Sequence, residues 1–215
     1  MSVLKTCVLA AGLSLAALVA TAQTMREVVS KPEAPLTFMG LDFSAAKYIG
    51  DPGTVGPEEM KGLFTKIDGL LVQEARKYDF AGALRKNKVD YNIGIAESAN
   101  AKIDPGTIIT PSFPKPGRID ANEVQAMVRR YAYPAGVTGT GLVLIMEDLN
   151  KATEKETMWV TFVDLDSKKV LHTEKLEGTG AGFGFRNHWA GGIYDVIKEI
   201  KSKKYGEWKK KFAKS

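Results

Sequence analysis

The run Gly141-Leu142-Val143-Leu144-Ile145-Met146 is apolar on both faces of an extended chain. A strand with one wet face would alternate, so a run without alternation marks the centre of a sheet. The next two segments read as its neighbours. Met158, Val160 and Phe162 oppose Trp159, Thr161 and Val163 in one strand, and Asp164 to Lys169 turn the chain. Val170 to Leu176 then returns as a more polar strand, suited to an edge where charge discourages pairing with strangers. Glu147 to Glu156 reads as a charged connection before this hairpin.

Ahead of the central run, strands and helices alternate. Leu36 to Tyr48 reads as a first strand, ended by the turn residues Asp51-Pro52-Gly53. Pro57 to about Lys77 is a helix, since Met60, Leu63, Phe64, Ile67, Leu70 and Leu71 recur at three- and four-residue spacing. Phe80 to Leu84 reads as a short further turn. Val89, Tyr91, Ile93 and Ile95 alternate with polar residues and Gly94 as a second strand with one wet face. Glu97 to Gly117 is a long connection carrying Pro105, Pro111, Pro114 and Pro116, a length that marks functional or mobile segments. A second helix runs from Asp120 to Tyr131, with Asp120 as cap, Glu123 completing a capping box and Ile119 stapled to Val124. The last helix is expected from about His188 to Lys204. The fold class is α+β with an α/β-like front half: a mixed sheet of about five strands and three main helices, in the order β-α-β-α-β-β-β-α.

The amino terminus has the three parts of a secretory signal peptide: Lys5, an uncharged run from Val8 to Val19, and the small-residue site Ala20-Thr21-Ala22. Residues 1–22 are expected to be removed, leaving a periplasmic or secreted protein. The single cysteine, Cys7, lies in that leader, so neither disulfides nor thiol catalysis is expected. Residues 23–35 read as a polar tether, 36–204 as one domain and 205–215 as a basic aromatic tail. Eight lysines against Glu199 and Glu207 fall between Lys198 and Lys214, so the basic charge belongs to the tail. The body then carries no field for binding nucleic acid.

The order of elements, above all the unit from Trp159 to Ile200, resembles the small envelope domains related to the TolB amino-terminal domain. Outer-membrane lipoproteins that activate penicillin-binding proteins share that plan. The resemblance rests on the turn from Val163-Asp164 to Val170-Leu171 ahead of the last strand and helix. The string Gly182-Phe183-Gly184-Phe185-Arg186-Asn187-His188-Trp189 is also similar to one in exported bacterial proteins of unknown function. The resemblance implies a periplasmic, non-catalytic adaptor with an envelope protein partner. It carries over no site residues, and this chain lacks a lipid-anchoring cysteine after the leader.

One segment has a shape that suggests ligand chemistry: the glycine-rich loop from Gly178 to Asn187, between a strand and a helix. The first two helices open with carboxylates, which complement the helix dipole, whereas the third opens on Arg186, Asn187 as expected cap, and His188. Gly180, Gly182, Gly184, Arg186, Asn187 and His188 are therefore the candidate ligand-binding residues, for a small anion such as phosphate or carboxylate. The other reading is structural, with the glycines permitting tight turns and Phe183 and Phe185 plugging the core. The spacing matches neither a dinucleotide fingerprint nor a Walker loop, and no cofactor is expected.

His172 and His188 lack metal-ligand spacing, so no metal is expected. Asp42, Glu97, Glu147 and Asp148 lie near strand ends and are the residues a hydrolase would use. In the tail, Tyr205, Trp208 and Phe212 share one helical side with lysines around them. That side either meets an anionic membrane or a partner, weakly, or docks onto the domain. The leading expectation is a non-catalytic exported envelope protein that binds through the loop from Gly180 to His188 and the proline-containing connection.

Overall fold

The computed structural model describes residues 24–111 and 118–213. It begins with helix α1 (Met25–Ser30), strands β1 (Leu36–Asp42) and β2 (Lys47–Ile49), and helices α2 (Pro57–Gln73) and α3 (Phe80–Ala83). Strand β3 (Asp90–Tyr91), helix α4 (Gly94–Asn100), a 3-10 turn at Pro105–Thr107 and strand β4 (Ile109–Thr110) lead to helix α5 (Ala121–Arg129). Three long strands follow: β5 (Thr140–Asn150), β6 (Lys155–Asp164) and β7 (Lys169–Thr179). Helix α6 (Phe185–Glu199) then passes through a π-turn at Ile200–Lys204 into helix α7 (Tyr205–Phe212).

The seven strands form one mixed sheet with β5 at its centre. β1 runs parallel to the first half of β5, from Leu36↔Thr140 to Asp42↔Ile145. β2 runs parallel to the second half, from Lys47↔Asp148 to Ile49↔Asn150. β1 and β2 thus share one strand position, interrupted at Phe43–Ala46. Outside them, β3 pairs with β1 and β4 with β2, again parallel. On the other side of β5 lie antiparallel β6 and then β7, which pairs only with β6 and is the polar edge. Across its width the sheet therefore has the five positions expected, two of them split into short pieces.

The split coincides with a bulge in β5 between Met146 and Asp148. Arg118 fastens both irregularities. Its guanidinium donates to the carbonyls of Ala45 and Glu147 and to the Asp148 carboxylate, the last at 3.0 Å.

Because β5 is apolar on both sides, both sides are covered. Leu142, Leu144 and Met146 face a large core with α1, α2, α3, α6 and α7. Val143 and Ile145 face a smaller one with α4 and α5. Each fully buried aliphatic side chain contributes roughly 1.5–3 kcal/mol by leaving water.

Several expectations change. The segment expected as a tether folds as α1, with Thr24 and Glu27 forming a capping box and Met25, Val28 and Val29 buried. The alternating stretch from Val89 to Ile95 keeps only two strand residues, then bends so that Ile95 and Ala96 enter the smaller core from α4. The long connection contains α4, the 3-10 turn and β4; residues 112–117 of it lie outside the described residues. The charged stretch after the central run is mostly strand, and the turn at Lys151–Glu154 is held by Asn150, whose side-chain oxygen accepts from the amides of Ala152 and Thr153. Asp120 caps α5 as expected, accepting from the amides of Asn122 and Glu123, while the Glu123 carboxylate turns to Arg130 at 3.0 Å. The last helix starts earlier than expected: Gly184, at φ 78°, is its cap in place of Asn187. The expected signal peptide lies outside the described residues. Among the described residues no helix is long and apolar enough to cross a membrane.

Candidate functional site

β7 delivers the chain to the glycine-rich loop with α6 lying on the strand almost backbone to backbone. A Cβ at Gly178 would collide with the Gly192 carbonyl, and one at Gly191 with the Ala181 carbonyl. Small residues at these points let the helix sit close enough for its first turn to open beside the end of β2. That first turn has no acidic residue and no side-chain cap, so its amides keep the positive end of the dipole unshielded.

A cleft of about 310 Å³ lies at this mouth. Tyr48, Val55, Phe185 and Trp189 give it apolar walls; Lys151, Glu154 and His188 supply the polar groups, with Gly182 and Gly184 at the loop side. Lys151 and Glu154 pair across 3.5 Å with both side chains about half exposed, a contact worth little by itself. His188 stands edge-on to Trp189 with ring centroids 4.7 Å apart. Its Nε2 is buried without a hydrogen-bond partner among the described residues and is packed against Gly180, where a Cβ would strike it. Burial first, and then Lys151, push the His188 pKa down, against Glu154 and a backbone hydrogen bond with Gly182. The imidazole is therefore neutral at pH 7.

Of the six loop residues expected to bind, Gly182, Gly184 and His188 meet in the cleft. Gly180 lies behind the imidazole. Arg186 and Asn187 are exposed and do not line the cleft; the Arg186 Nε donates to the Asn187 side-chain oxygen at 3.1 Å. The two phenylalanines part company. Phe185 turns inward against Tyr48, Trp189 and Phe64, at centroid distances of 5.8, 6.2 and 6.3 Å. Phe183, expected to plug the core, is 97% exposed. The glycines on either side of it, Gly182 and Gly184, both have positive φ and carry the chain out and back around it.

The aromatic tail takes the docked arrangement at two of its three positions. Tyr205 is buried and donates to the Val29 carbonyl at 2.8 Å. Trp208 is buried against Phe162 and donates to the Glu174 carboxylate at 2.6 Å. Phe212 is half-buried beside His172, and Lys209, Lys210 and Lys211 point to solvent. Two of the three aromatics needed for a membrane-facing side are thus spent on the core.

Of the four carboxylates a hydrolase was expected to use, Glu97 lies in α4, and the other three are held by other partners among the described residues. Asp148 is held by Arg118, and buried Glu147 by Trp159 Nε1 at 3.0 Å and Lys175 at 2.5 Å. Asp42 accepts from the Tyr131 hydroxyl at 2.6 Å and the Ser44 amide at 2.7 Å. Among the described residues no group of three metal-ligating side chains comes together.

Sequence reasoning passed over Tyr48, Lys151 and Glu154 in the cleft, and two buried acids elsewhere. Asp68 of α2 is pushed up to about 7 by burial, against one hydrogen bond from the Leu41 amide. Glu156 of β6 is fully buried beneath Gly192 with no hydrogen-bond partner for either oxygen among the described residues, and burial holds its carboxyl far above the usual range. The pairing of Gly178 with Gly191-Gly192 was the available signal that a helix presses on this strand. No family model and no curated protein matches the chain, so the site is defined by its own geometry.

Proposed function

We propose that this protein is an exported, non-catalytic binding module that engages a protein partner in the bacterial envelope through its glycine-loop end. The observation that carries this reading is Phe183, an aromatic side chain 97% exposed at a loop tip beside an apolar-walled cleft. A large apolar side chain held in water gains by burial against a partner, and aromatic anchors flanked by pockets dominate binding energy at protein interfaces. β2 brings further contact surface to the same end. The Tyr48 amide donates to the Ile108 carbonyl and the Gly50 amide to that of Thr110, which sets the Ile108–Thr110 part of the proline-containing connection beside the Asp51–Gly56 turn. The resemblance to TolB-like envelope domains supports the same kind of role.

Photo-crosslinking tests this. A photoreactive phenylalanine at position 183 is expected to give one defined protein adduct in envelope extracts. The same group at Val72, a moderately exposed apolar residue on α2, is expected to give none. Indistinguishable adduct patterns from the two positions would sink the proposal.

A second reading is favoured by the unshielded start of α6: the cleft takes a small anion on the first-turn amides with Lys151. The expected result is thermal stabilisation by phosphate that Lys151→Ala removes and Arg186→Ala leaves intact, because Arg186 stands outside the cleft. Equal loss in both variants would count against that placement.

A further inference from the structure

A second cavity, of about 230 Å³, opens at the carboxyl end of β1, where the strand position is interrupted. It lies away from the glycine loop and plays no part in the binding role proposed above. From β1 the chain continues through β2 to α2 on one side of the sheet, whereas from β3 it enters α4 on the other. Diverging connections leave a crevice outside the strand ends, the usual ligand position in sheets with a parallel half.

The floor of the cavity is Asp42 and Tyr131. Asp42 is fully buried, and both its oxygens already accept, one from the Ser44 amide and one from the Tyr131 hydroxyl. No cation lies within ion-pair distance of it among the described residues, and burial pushes its carboxyl above the usual range, against the bonds from Ser44 and Tyr131 and the more distant Arg130. The Tyr131 hydroxyl spends its hydrogen on Asp42, so its oxygen offers the cavity lone pairs only. The floor therefore asks for a donor, and a positively charged donor satisfies it best, because its approach favours the ionised form of a carboxylate that already accepts at both oxygens.

The rim has the opposite character. Lys102, after α4, is exposed and has no carboxylate partner among the described residues. Arg130 lies on the α5 side and reaches Glu123 only through a solvent-exposed contact. The Asp104 carboxylate, also at the rim, is turned to the Gly106 amide. Between floor and rim, Ala99, Ile103 and Met127 form an apolar wall. The volume falls below the roughly 300–1,000 Å³ that drug-sized ligands occupy, which suits a guest the size of one amino acid.

We infer that this cavity binds a free aliphatic α-amino acid, its ammonium on the Tyr131 oxygen above Asp42, its carboxylate on Lys102 and Arg130, and its side chain against Ile103 and Met127. A separated pair of opposite charges at the two ends of a short apolar wall matches a zwitterion and neither an amine nor an acid alone.

Calorimetric titration of the full protein tests it, using L-alanine, L-valine and L-leucine, then isobutylamine and isovalerate as the two half-ligands. At least one of the amino acids is expected to bind saturably, with amide NMR shifts at Ser44, Ala99 and Tyr131. Each half-ligand is expected to bind about tenfold more weakly or worse. Lys102→Gln, an exposed change that leaves the core alone, is expected to weaken binding by about fivefold or more. Phe183→Ala is expected to leave it unchanged, which separates this site from the glycine-loop end. Absence of binding by all three amino acids up to about 10 mM would overturn the inference. So would isobutylamine binding as tightly as the amino acids, or full affinity in Lys102→Gln.

Discussion

The two halves of the sheet are built differently. On one side of β5, β6 and β7 run antiparallel for ten and eleven residues with one irregularity each. On the other side the parallel positions are broken into β1 and β2, β3 and β4, the shortest of two residues. The two cavities described above open at the ends of β1 and β2, the first shared with the β5–β6 turn and the loop after β7, while a third, of about 490 Å³, lies against Thr179 and α6. Continuous strands satisfy their backbone groups along their length; interruptions add ends, which must be fastened by side chains such as Arg118 and which open space. The long strands supply the continuous ladder, and the two cavities described above open where the parallel strands are broken.

Truncation in the continuous half is the strongest way to break that contrast. Phe162→Ala, in a side chain fully buried under Trp208, is expected to cost about 3–5 kcal/mol in chemical denaturation. A cost below about 1 kcal/mol would show that the antiparallel half is not the stabilising one.

Next in size is a pH effect in the broken half. Asp68 packs beneath Gly40 of β1 and keeps its proton up to about pH 7 in the folded state, while the unfolded chain releases it near its ordinary value of 3.8. The native state thus binds the proton more tightly, so stability declines as pH rises from about 4 to about 7 and levels off above. The decline is at most on the order of 4 kcal/mol from this one group. Asp68→Asn keeps an acceptor for the Leu41 amide and is expected to flatten the curve across that window. Melting curves from pH 4 to 8 read the difference, and an unchanged slope in the variant would remove Asp68 as its source.

Arg118→Met should act on the fastening alone. Loss of its bonds to Ala45, Glu147 and Asp148 is expected to cost about 1–3 kcal/mol. Amide exchange should quicken at Phe43–Ile49 and leave the β6–β7 ladder protected. Uniform loss of protection would mean that the two halves open as one. The smallest expected change is Phe183→Ala, within about 0.5 kcal/mol of the parent in stability despite any loss of binding. A larger cost would mean that the loop phenylalanine packs in solution.

This division also explains what the sequence disclosed. The continuous half announced itself, because a two-faced apolar strand, an alternating strand and a polar edge each leave a periodic trace in Gly141–Met146, Met158–Val163 and Val170–Leu176. The amphipathic α2 and α5 did the same. The broken half did not. Leu36 to Tyr48 reads as one alternating segment because the break at Phe43–Ala46 is held by Arg118, more than seventy residues away. Ile93 and Ile95 fit a strand period although the second belongs to a helix. Six residues of α1 give too short a pattern to separate from a tether. The glycine loop was visible as composition, but its cleft was not, since Tyr48, Lys151 and His188 meet only through the sheet. Nothing local distinguishes a phenylalanine that enters a core from one two residues earlier that leaves it.

The bond from the Tyr205 hydroxyl to the Val29 carbonyl ties the first described helix to the last. During synthesis α1 emerges long before α7, the helix it packs against. The domain closes like a clasp, first described helix against last. The π-turn sets the angle of that clasp: one residue removed from Ile200–Lys204 would rotate α7 by about 100° and part it from α1.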